Sequence, residues 1–352
     1  MSAAEILFER RGAAGIVTLN RPKALNAVTH AMVLALRSQL DCWADDAAIT
    51  RVVVTGAGER AFSAGGDIRA LYDLGKAGRH DEALQFWSDE YPLNAVIKNY
   101  RKPYVALING IVMGGGVGVS VHGSHRVAGD RFSFAMPEVG IGFFPDVGAT
   151  WFLPRMPGEL GTYCALTGER FGIADALAGG IVTHRISSAR FDDLLDGLTG
   201  TVPVEAVLGA FAEPFGQGPI MQRRAVIDRL FAGDMVETIL AALDTEALSG
   251  SADAEWAAQT AATIRLKSPL SLKLALAQVR RGKSWDFETC MRMEFRIVSR
   301  VIHGHDFYEG VRAVIIDKDN KPRWRPETLP EVGETDVERH FASLGPSELV
   351  LP

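Results

Sequence analysis

Along the first half of the chain, short β-branched apolar runs alternate with a stretch whose apolar residues recur every three or four positions. "GIVTLN" at 15–20, "TRVVVTGAG" at 50–58 and "KPYVALINGIV" at 102–112 read as strands, and "HAMVLALRSQLDCWADD" at 30–46 reads as an amphipathic helix. A further strand pattern lies in "SHRVAGDRFSFAMPE" at 124–138, while residues 75–99 look like a polar helical insertion between two core strands. Strand, helix and strand in turn predict an α/β architecture with stacked or parallel strands. From about residue 202 the pattern changes. "VEAVLGAFAEPF", "QRRAVIDRLFAGDMVETILAALDT" and "AEWAAQTAATIRLKS" carry apolar residues at helical spacing, and strand runs disappear. The expected organisation is a core over 1–201 and a mainly helical C-terminal region over 202–352, with the makings of a separate lobe.

Composition narrows the function classes. The 352 residues are 47% hydrophobic and 23% charged, an ordinary globular balance with enough apolar material for a sizeable core. A net charge of −6 gives no broad attraction to nucleic acid or to an anionic membrane, so any anionic ligand must be held locally. Cys42, Cys164 and Cys290 are too few and too scattered for a disulfide framework or a metal site, and they read as core thiols in a reducing compartment. The first twenty residues resemble no leader, and no stretch reaches the roughly 20 apolar residues of a membrane span. A cytoplasmic protein without metal or redox cofactor is the expectation.

Within "FAMPEVGIGFFPDVG" at 134–148, Glu138 and Asp146 stand in an apolar, glycine- and proline-rich run with no lysine or arginine. Acids without a partner are either solvated turn residues or groups kept for chemistry. Two glycine clusters, "RVVVTGAGERAFSAGGDIRAL" and "YVALINGIVMGGGVGVSVHG", each follow an apolar strand. Gly56, Gly58 and Ala61 fit a G-x-G-x-x-A dinucleotide pattern, but "FSAGG" interrupts the place where its helix should continue. The other use of such loops is to point backbone N–H groups at a developing oxyanion.

"AFSAGGDIRAL", "NGIVMGGGVGVSV", "FAMPEVGIGFFPDVGATWFLPRM" and "ALTGERF", in this order and spacing, resemble the crotonase (enoyl-CoA hydratase/isomerase) superfamily. "VHGSHRVA", "PEVGIGFFPDVGA", "SPLSLK" and "GHDFYEGVRAVIIDKDNKPRWRP" resemble its 3-hydroxyisobutyryl-CoA hydrolase branch. The resemblance implies a spiral of ββα units with a helical C-terminal region, and an acyl-CoA substrate, so that coenzyme A is part of the substrate and not a separate cofactor. It implies homo-oligomers of trimer or hexamer type, an interface that the long C-terminus is able to cover. By the same resemblance, the N–H groups of Gly66 and Gly115 form the oxyanion hole and the Ala64 carbonyl receives the adenine amino group. Arg69 and Lys23 face the CoA phosphates, and Asp67 and Gly118 belong to the substrate and CoA surroundings.

Hydratases of the superfamily use two glutamates, and this chain departs from that pattern. It keeps the second as Glu138, has Gly118 in place of the first, and adds Asp146 eight positions after Glu138. That combination matches thioester hydrolysis, with Glu138 as base or nucleophile and Asp146 as its partner, between apolar walls from Phe143, Phe144 and Val147. The expected reaction is hydrolysis of a short hydroxyacyl-CoA such as 3-hydroxyisobutyryl-CoA, a step of valine breakdown. The alternatives are an enoyl-CoA hydratase or isomerase, and a catalytically silent CoA-binding protein. His122, four residues after Gly118 on the same helix face, is read as a hydrogen-bonded core residue.

Overall fold

A computed structural model describes residues 4–352. β1 (Ile6–Arg11) and β2 (Ala14–Leu19) form an antiparallel hairpin, and the β-branched run β3 (Arg51–Gly56) pairs parallel to β2. Between them α1 (His30–Asp45) starts on Thr29, whose side chain accepts from the Met32 N–H, and turns Met32, Val33, Leu36, Leu40 and Trp43 inward.

After β3 the chain repeats one manoeuvre three times. A strand joins a large six-stranded sheet of order β1-β2-β3-β5-β7-β9, and a short strand then joins a separate three-stranded sheet of order β4-β6-β8. The pairs are β3 with β4 (Ala61–Ser63), β5 (Tyr104–Ile108) with β6 (Ile111–Met113), and β7 (His125–Ala128) with β8 (Ser133–Ala135). β9 (His184–Arg185) closes the large sheet beside β7. Every pairing after the first hairpin is parallel, so each advance needs a crossover, and the result is the expected spiral of ββα units. Gly56 and Gly58 are followed by β4 and not by a helix, which rules out the dinucleotide turn.

Because side chains alternate along a strand, the large sheet is buried on both faces. Val52 and Val54 point into the main core, whereas Val53, Val105, Leu107 and Val127 meet Leu194, Leu198, Val204, Val207 and Leu208 on the other side. The helices Phe191–Thr199 and Val204–Phe211 cover that second face together, one on each side of the expected 201/202 boundary. The C-terminal helices do not stand apart as a lobe either. Leu272, Leu274 and Leu276 of the Pro269–Gly282 helix, and Met291, Ile297 and Val298 of the Phe287–Val301 helix, belong to the same apolar cluster as the first-half strands.

Two further expectations need correction. The 75–99 stretch is helical but not a polar insertion: α2 (Ile68–Lys76) leads into α3 (His80–Lys98), which buries Phe86, Trp87, Tyr91, Leu93 and Ile97. Its polar residues fall on the remaining helical face, and their number hides the apolar stripe. Cys164 and Cys290 are buried thiols as expected, but Cys42 is exposed on the outer face of α1. Among the described residues no helix is long and apolar enough to cross a membrane.

The docking of the C-terminal helices is tight enough to test. A Cβ on Gly282 would lie 1.8 Å from the Thr150 carbonyl oxygen, inside the backbone of the loop that follows Asp146. Gly282→Ala is expected to destabilise the protein by about 1–3 kcal/mol, the usual cost of overpacking, read as a fall in thermal midpoint. An unchanged midpoint would show that this helix is not held against the loop.

Candidate active site

Parallel strands end at one edge of their sheet, and the small sheet uses this to deliver three turns to one place. β4 runs into Ala64, Gly65 and Gly66, β6 into Gly114, and β8 through Pro137 into the 3-10 turn Glu138–Ile141. Gly65 has φ 117° and Gly114 has φ 45°, conformations that a side chain resists. The two glycine turns touch: a Cβ on Gly115 would stand 3.1 Å from the Gly66 nitrogen. Neither the Gly66 nor the Gly115 N–H donates a hydrogen bond among the described residues, and the Gly115 N–H is the first of α4 (Gly115–Gly118), with no helical acceptor behind it. Two free N–H groups, side by side at a sheet edge, form the geometry of an oxyanion hole.

The segment around residues 22–28 lies along this edge. The Ala64 N–H donates to the Leu25 carbonyl at 2.9 Å and the Val28 N–H to the Gly65 carbonyl at 2.8 Å. The Ala64 carbonyl accepts nothing among the described residues, which leaves it open to an exocyclic amine. Lys23 and Arg69 are exposed and make no ion pair there, so two free cations flank the turn. Asp67 has a different task from the one expected. Its Oδ1 caps α2 through the Ala70 N–H at 3.2 Å and its Oδ2 pairs with Arg21 at 2.9 Å, so it holds the loop.

Glu138 and Asp146 come together under these turns. Glu138 Oε1 lies 3.4 Å from where a Cβ of Gly114 would be, and the charge of Asp146 reaches Glu138. Both are buried, at 6% and 4% exposure, so the reading as solvated turn residues fails. Phe143 stacks on Phe144 at 4.6 Å and on Trp87 at 5.6 Å, forming the apolar wall expected there. Burial pushes the Glu138 carboxyl well above its ordinary range, and the charge of Asp146 adds to the rise. Burial likewise raises Asp146 to about 7, although the Tyr91 hydroxyl donates to its Oδ2 at 3.0 Å and Trp87 also favours its charged form.

Sequence reading missed three residues of this pocket. Glu90, on α3, is buried, and its Oε1 lies 2.7 Å from the position of a Gly115 Cβ with no hydrogen-bond partner among the described residues. Burial raises its pKa first, then the charges of Asp146 and Glu294. Asn94, one turn further along α3, is fully buried with both side-chain polar atoms unpartnered, and Glu138 Oε2 is a fourth such atom. Orphaned buried polar atoms are rare, and four of the seven among the described residues belong to Glu90, Asn94 and Glu138. The signal for these residues is an acid and an amide inside an apolar helical stripe: Trp87, Glu90, Tyr91 and Asn94 recur at helical spacing. Glu294 repeats it among Met291, Ile297 and Val298.

Glu294 reaches the pocket from the other side. Its two carboxylate oxygens accept the Gly148 and Thr150 N–H groups, both at 2.8 Å, and so clamp the turn after Asp146. Burial and then the charge of Asp146 raise it to about 8, against the pull of those N–H groups. Between Asp146 and that clamp, Val147 is held at φ 52°, and its carbonyl accepts from the His122 ring at 2.7 Å. Burial lowers the His122 pKa to about 3, so it is a neutral core histidine, as the sequence implies. At Gly118 a Cβ would fall 2.8 Å from Asn94 Nδ2 and 2.9 Å from Val147 Cβ. The space that a second hydratase glutamate would need is taken.

The pattern of the enoyl-CoA hydratase/isomerase family matches residues 14–341. The chain belongs to that family. Among its similar proteins, the 3-hydroxyisobutyryl-CoA hydrolases of Danio rerio and Homo sapiens are 45% and 41% identical. Each alignment covers 99% of this chain, and 92% and 91% of those enzymes. Among solved structures, a carnitinyl-CoA dehydratase from Mycobacterium thermoresistibile is 43% identical with a TM-score of 0.92 over 98% of both chains. An enoyl-CoA hydratase from Rhodobacter sphaeroides is 37% identical with a TM-score of 0.91, over 99% of this chain and 100% of that one. The names within this part of the enoyl-CoA hydratase/isomerase family therefore divide between thioester hydrolysis and the addition or loss of water. The vertebrate hydrolases are named as mitochondrial enzymes, which overturns the cytoplasmic placement expected from the sequence. Charge and composition shape a folded enzyme's surface and core but carry no compartment address.

The sign of the carboxyl coupling gives a test. Asp146, raised to about 7 in the fold, has an unfolded pKa of about 4. Its contribution to stability is intact below about pH 4, where both states hold the proton, and is lost as pH rises to about 7. Asp146→Asn is expected to raise the thermal midpoint relative to the parent at pH 7 but not at pH 4, reflecting a stability gain on the order of a few kcal/mol at pH 7. A midpoint difference that does not depend on pH would mean that Asp146 is solvated.

Proposed function

We propose that this protein hydrolyses a short 3-hydroxyacyl-CoA thioester, 3-hydroxyisobutyryl-CoA in the first instance, as in valine breakdown. The observation that carries the proposal is two buried carboxyls, Glu138 and Asp146, with Glu138 beside the Gly114 turn next to the free N–H groups of Gly66 and Gly115, while Asn94 and Val147 fill the position beside Gly118. The identity with the hydrolases over nearly the whole chain supports the same reading.

The thioester carbonyl oxygen lies between the Gly66 and Gly115 N–H groups, with the adenine amino group on the Ala64 carbonyl and the phosphates near Lys23 and Arg69. Glu138 deprotonates the water that attacks the carbonyl carbon, or attacks that carbon itself to form a mixed anhydride that water cleaves once the thiol has left, which returns the carboxylate. The negative charge moves onto the oxygen in the hole. When it returns, the C–S bond breaks and the departing thiolate takes a proton passed through Asp146. Raised basicity makes Glu138 a stronger proton acceptor than an ordinary carboxylate, and Asp146, raised to about 7, takes up and releases a proton near neutrality. Glu90 Oε1 and Asn94, unpartnered beside Gly115 and Gly118, are placed to meet the substrate hydroxyl. The hydratase pattern for adding water across a double bond places one of its two glutamates at the position of Gly118, and this chain has none there.

Free thiol released from 3-hydroxyisobutyryl-CoA, trapped by a disulfide reagent, is expected to appear far faster than crotonyl-CoA loses its enoyl absorbance. Fast hydration with no thiol release would overturn the hydrolase reading in favour of a hydratase.

Glu138→Gln keeps the size and hydrogen bonding of the side chain but can neither take a proton nor attack. It is expected to lower kcat by at least about 10²-fold, the lower end for a positioned base, while CoA affinity is retained. Parental kcat in the folded variant would remove Glu138 from the chemistry.

A further inference from the structure

A cavity of about 390 Å³ lies behind the turn after Asp146, where the His122 ring that bonds the Val147 carbonyl forms part of its wall. Its lining contains four cationic side chains, Lys98, Lys102, Arg126 and Arg155, and no aspartate or glutamate. This is unexpected in a chain whose 43 acids outnumber its 37 bases.

The cations are held without being neutralised. Arg126 donates to the carbonyls of Ile181, Gly123 and Gly180 at 2.9, 2.8 and 3.1 Å, which uses three of its five N–H groups. Arg155 donates to those of Trp151, Gly282 and Trp285 at 2.7, 3.0 and 2.8 Å, again leaving two N–H groups. Lys102 gives two of its three N–H groups to the carbonyls of Trp43 and Asp46. Lys98, the last residue of α3, makes no ion pair or hydrogen bond among the described residues. Its ammonium stands 4.0 Å from the centre of the Trp151 ring, and the Arg155 guanidinium stands 4.7 Å from the same ring.

Carbonyls fix where a guanidinium sits, but a carbonyl carries no net charge, so the mutual repulsion of these groups persists. Burial and the charges of Arg126 and Arg155 both push the Lys98 pKa down. A half-buried set of cations at such close quarters is favourable only when a counter-charge enters. The unspent donors, three on Lys98, one on Lys102 and two on each arginine, match an acceptor with several oxygens.

We propose that this cavity is a binding site for a small phosphate-bearing anion, held by Lys98 and the free N–H groups of Arg126 and Arg155 against the Trp151 ring. The volume leaves room for an organic portion beyond the phosphate. The site is separate from the turn flanked by Lys23 and Arg69, and it does not rest on the hydrolase reading.

Calorimetric titration of the whole protein with inorganic phosphate, and in parallel with glycerol phosphate, at constant ionic strength tests the proposal. Saturable binding of one anion per chain is expected. Lys98→Glu is expected to weaken it by about tenfold or more, Lys98→Met by less, and Arg69→Ala not at all. Tighter binding of glycerol phosphate than of inorganic phosphate would assign the site to a phosphate ester, and the reverse to the free ion. Absence of saturable binding would overturn the proposal, as would parental affinity in a folded Lys98→Glu or loss of binding in Arg69→Ala. Lys98→Met, which removes charge without adding an acid, keeps the test open if the glutamate variant fails to fold.

Discussion

The site depends on how closely two backbone turns can be brought together. Gly66 and Gly115 approach so closely that a Cβ on Gly115 would stand 3.1 Å from the Gly66 nitrogen, and this contact is what sets two N–H groups side by side. It follows from sheet pairing, because β4, β6 and β8 are parallel neighbours whose ends lie in a row. The first two strands end in donors and the third ends three residues before Glu138. The larger sheet sets the spacing of that row, since each of its strands β3, β5 and β7 feeds the short strand that follows.

The carboxyls are the second constraint, and they work against the fold. Glu90, Glu138, Asp146 and Glu294 are all buried near a wall of Phe143 and Trp87, and the charge of Asp146 raises the pKa of the other three. Such a cluster adds no stability and cannot be fully ionised at neutral pH. What offsets it is the apolar core that encloses it, together with the Tyr91 hydroxyl and the two N–H groups held by Glu294. In the proposed reaction the acids transfer protons, and their environment supplies the tuned basicity.

Much of this was legible in the chain. β-branched runs mark the strands, the glycine clusters mark the turns, and an acid pair without cations marks two buried carboxyls. Glu90 and Asn94 were not legible, because the many polar residues of α3 conceal that Trp87, Glu90, Tyr91 and Asn94 share one face. Gly118 could be read as a missing glutamate, but that Asn94 and Val147 close the space depends on two distant segments meeting. The task of Asp67 was misjudged for a related reason. Its partner Arg21 comes from a segment 46 positions earlier (67 minus 21), and pairing at that distance leaves no local pattern.

The clamp on the catalytic loop has a consequence for how such a protein can change over evolutionary time. Glu294 lies 146 positions from the Gly148 N–H that it holds, and Val147 sits between clamp and acid at a φ that branched side chains avoid. The loop is therefore not a portable module. A recombination event that exchanged the first half of the gene for that of a relative would bring in an Asp146 loop whose support is encoded in the half left behind. Descent within this branch is expected to carry the two halves together, and transplanting the loop alone onto another spiral would transfer the acid without the posture that makes it useful.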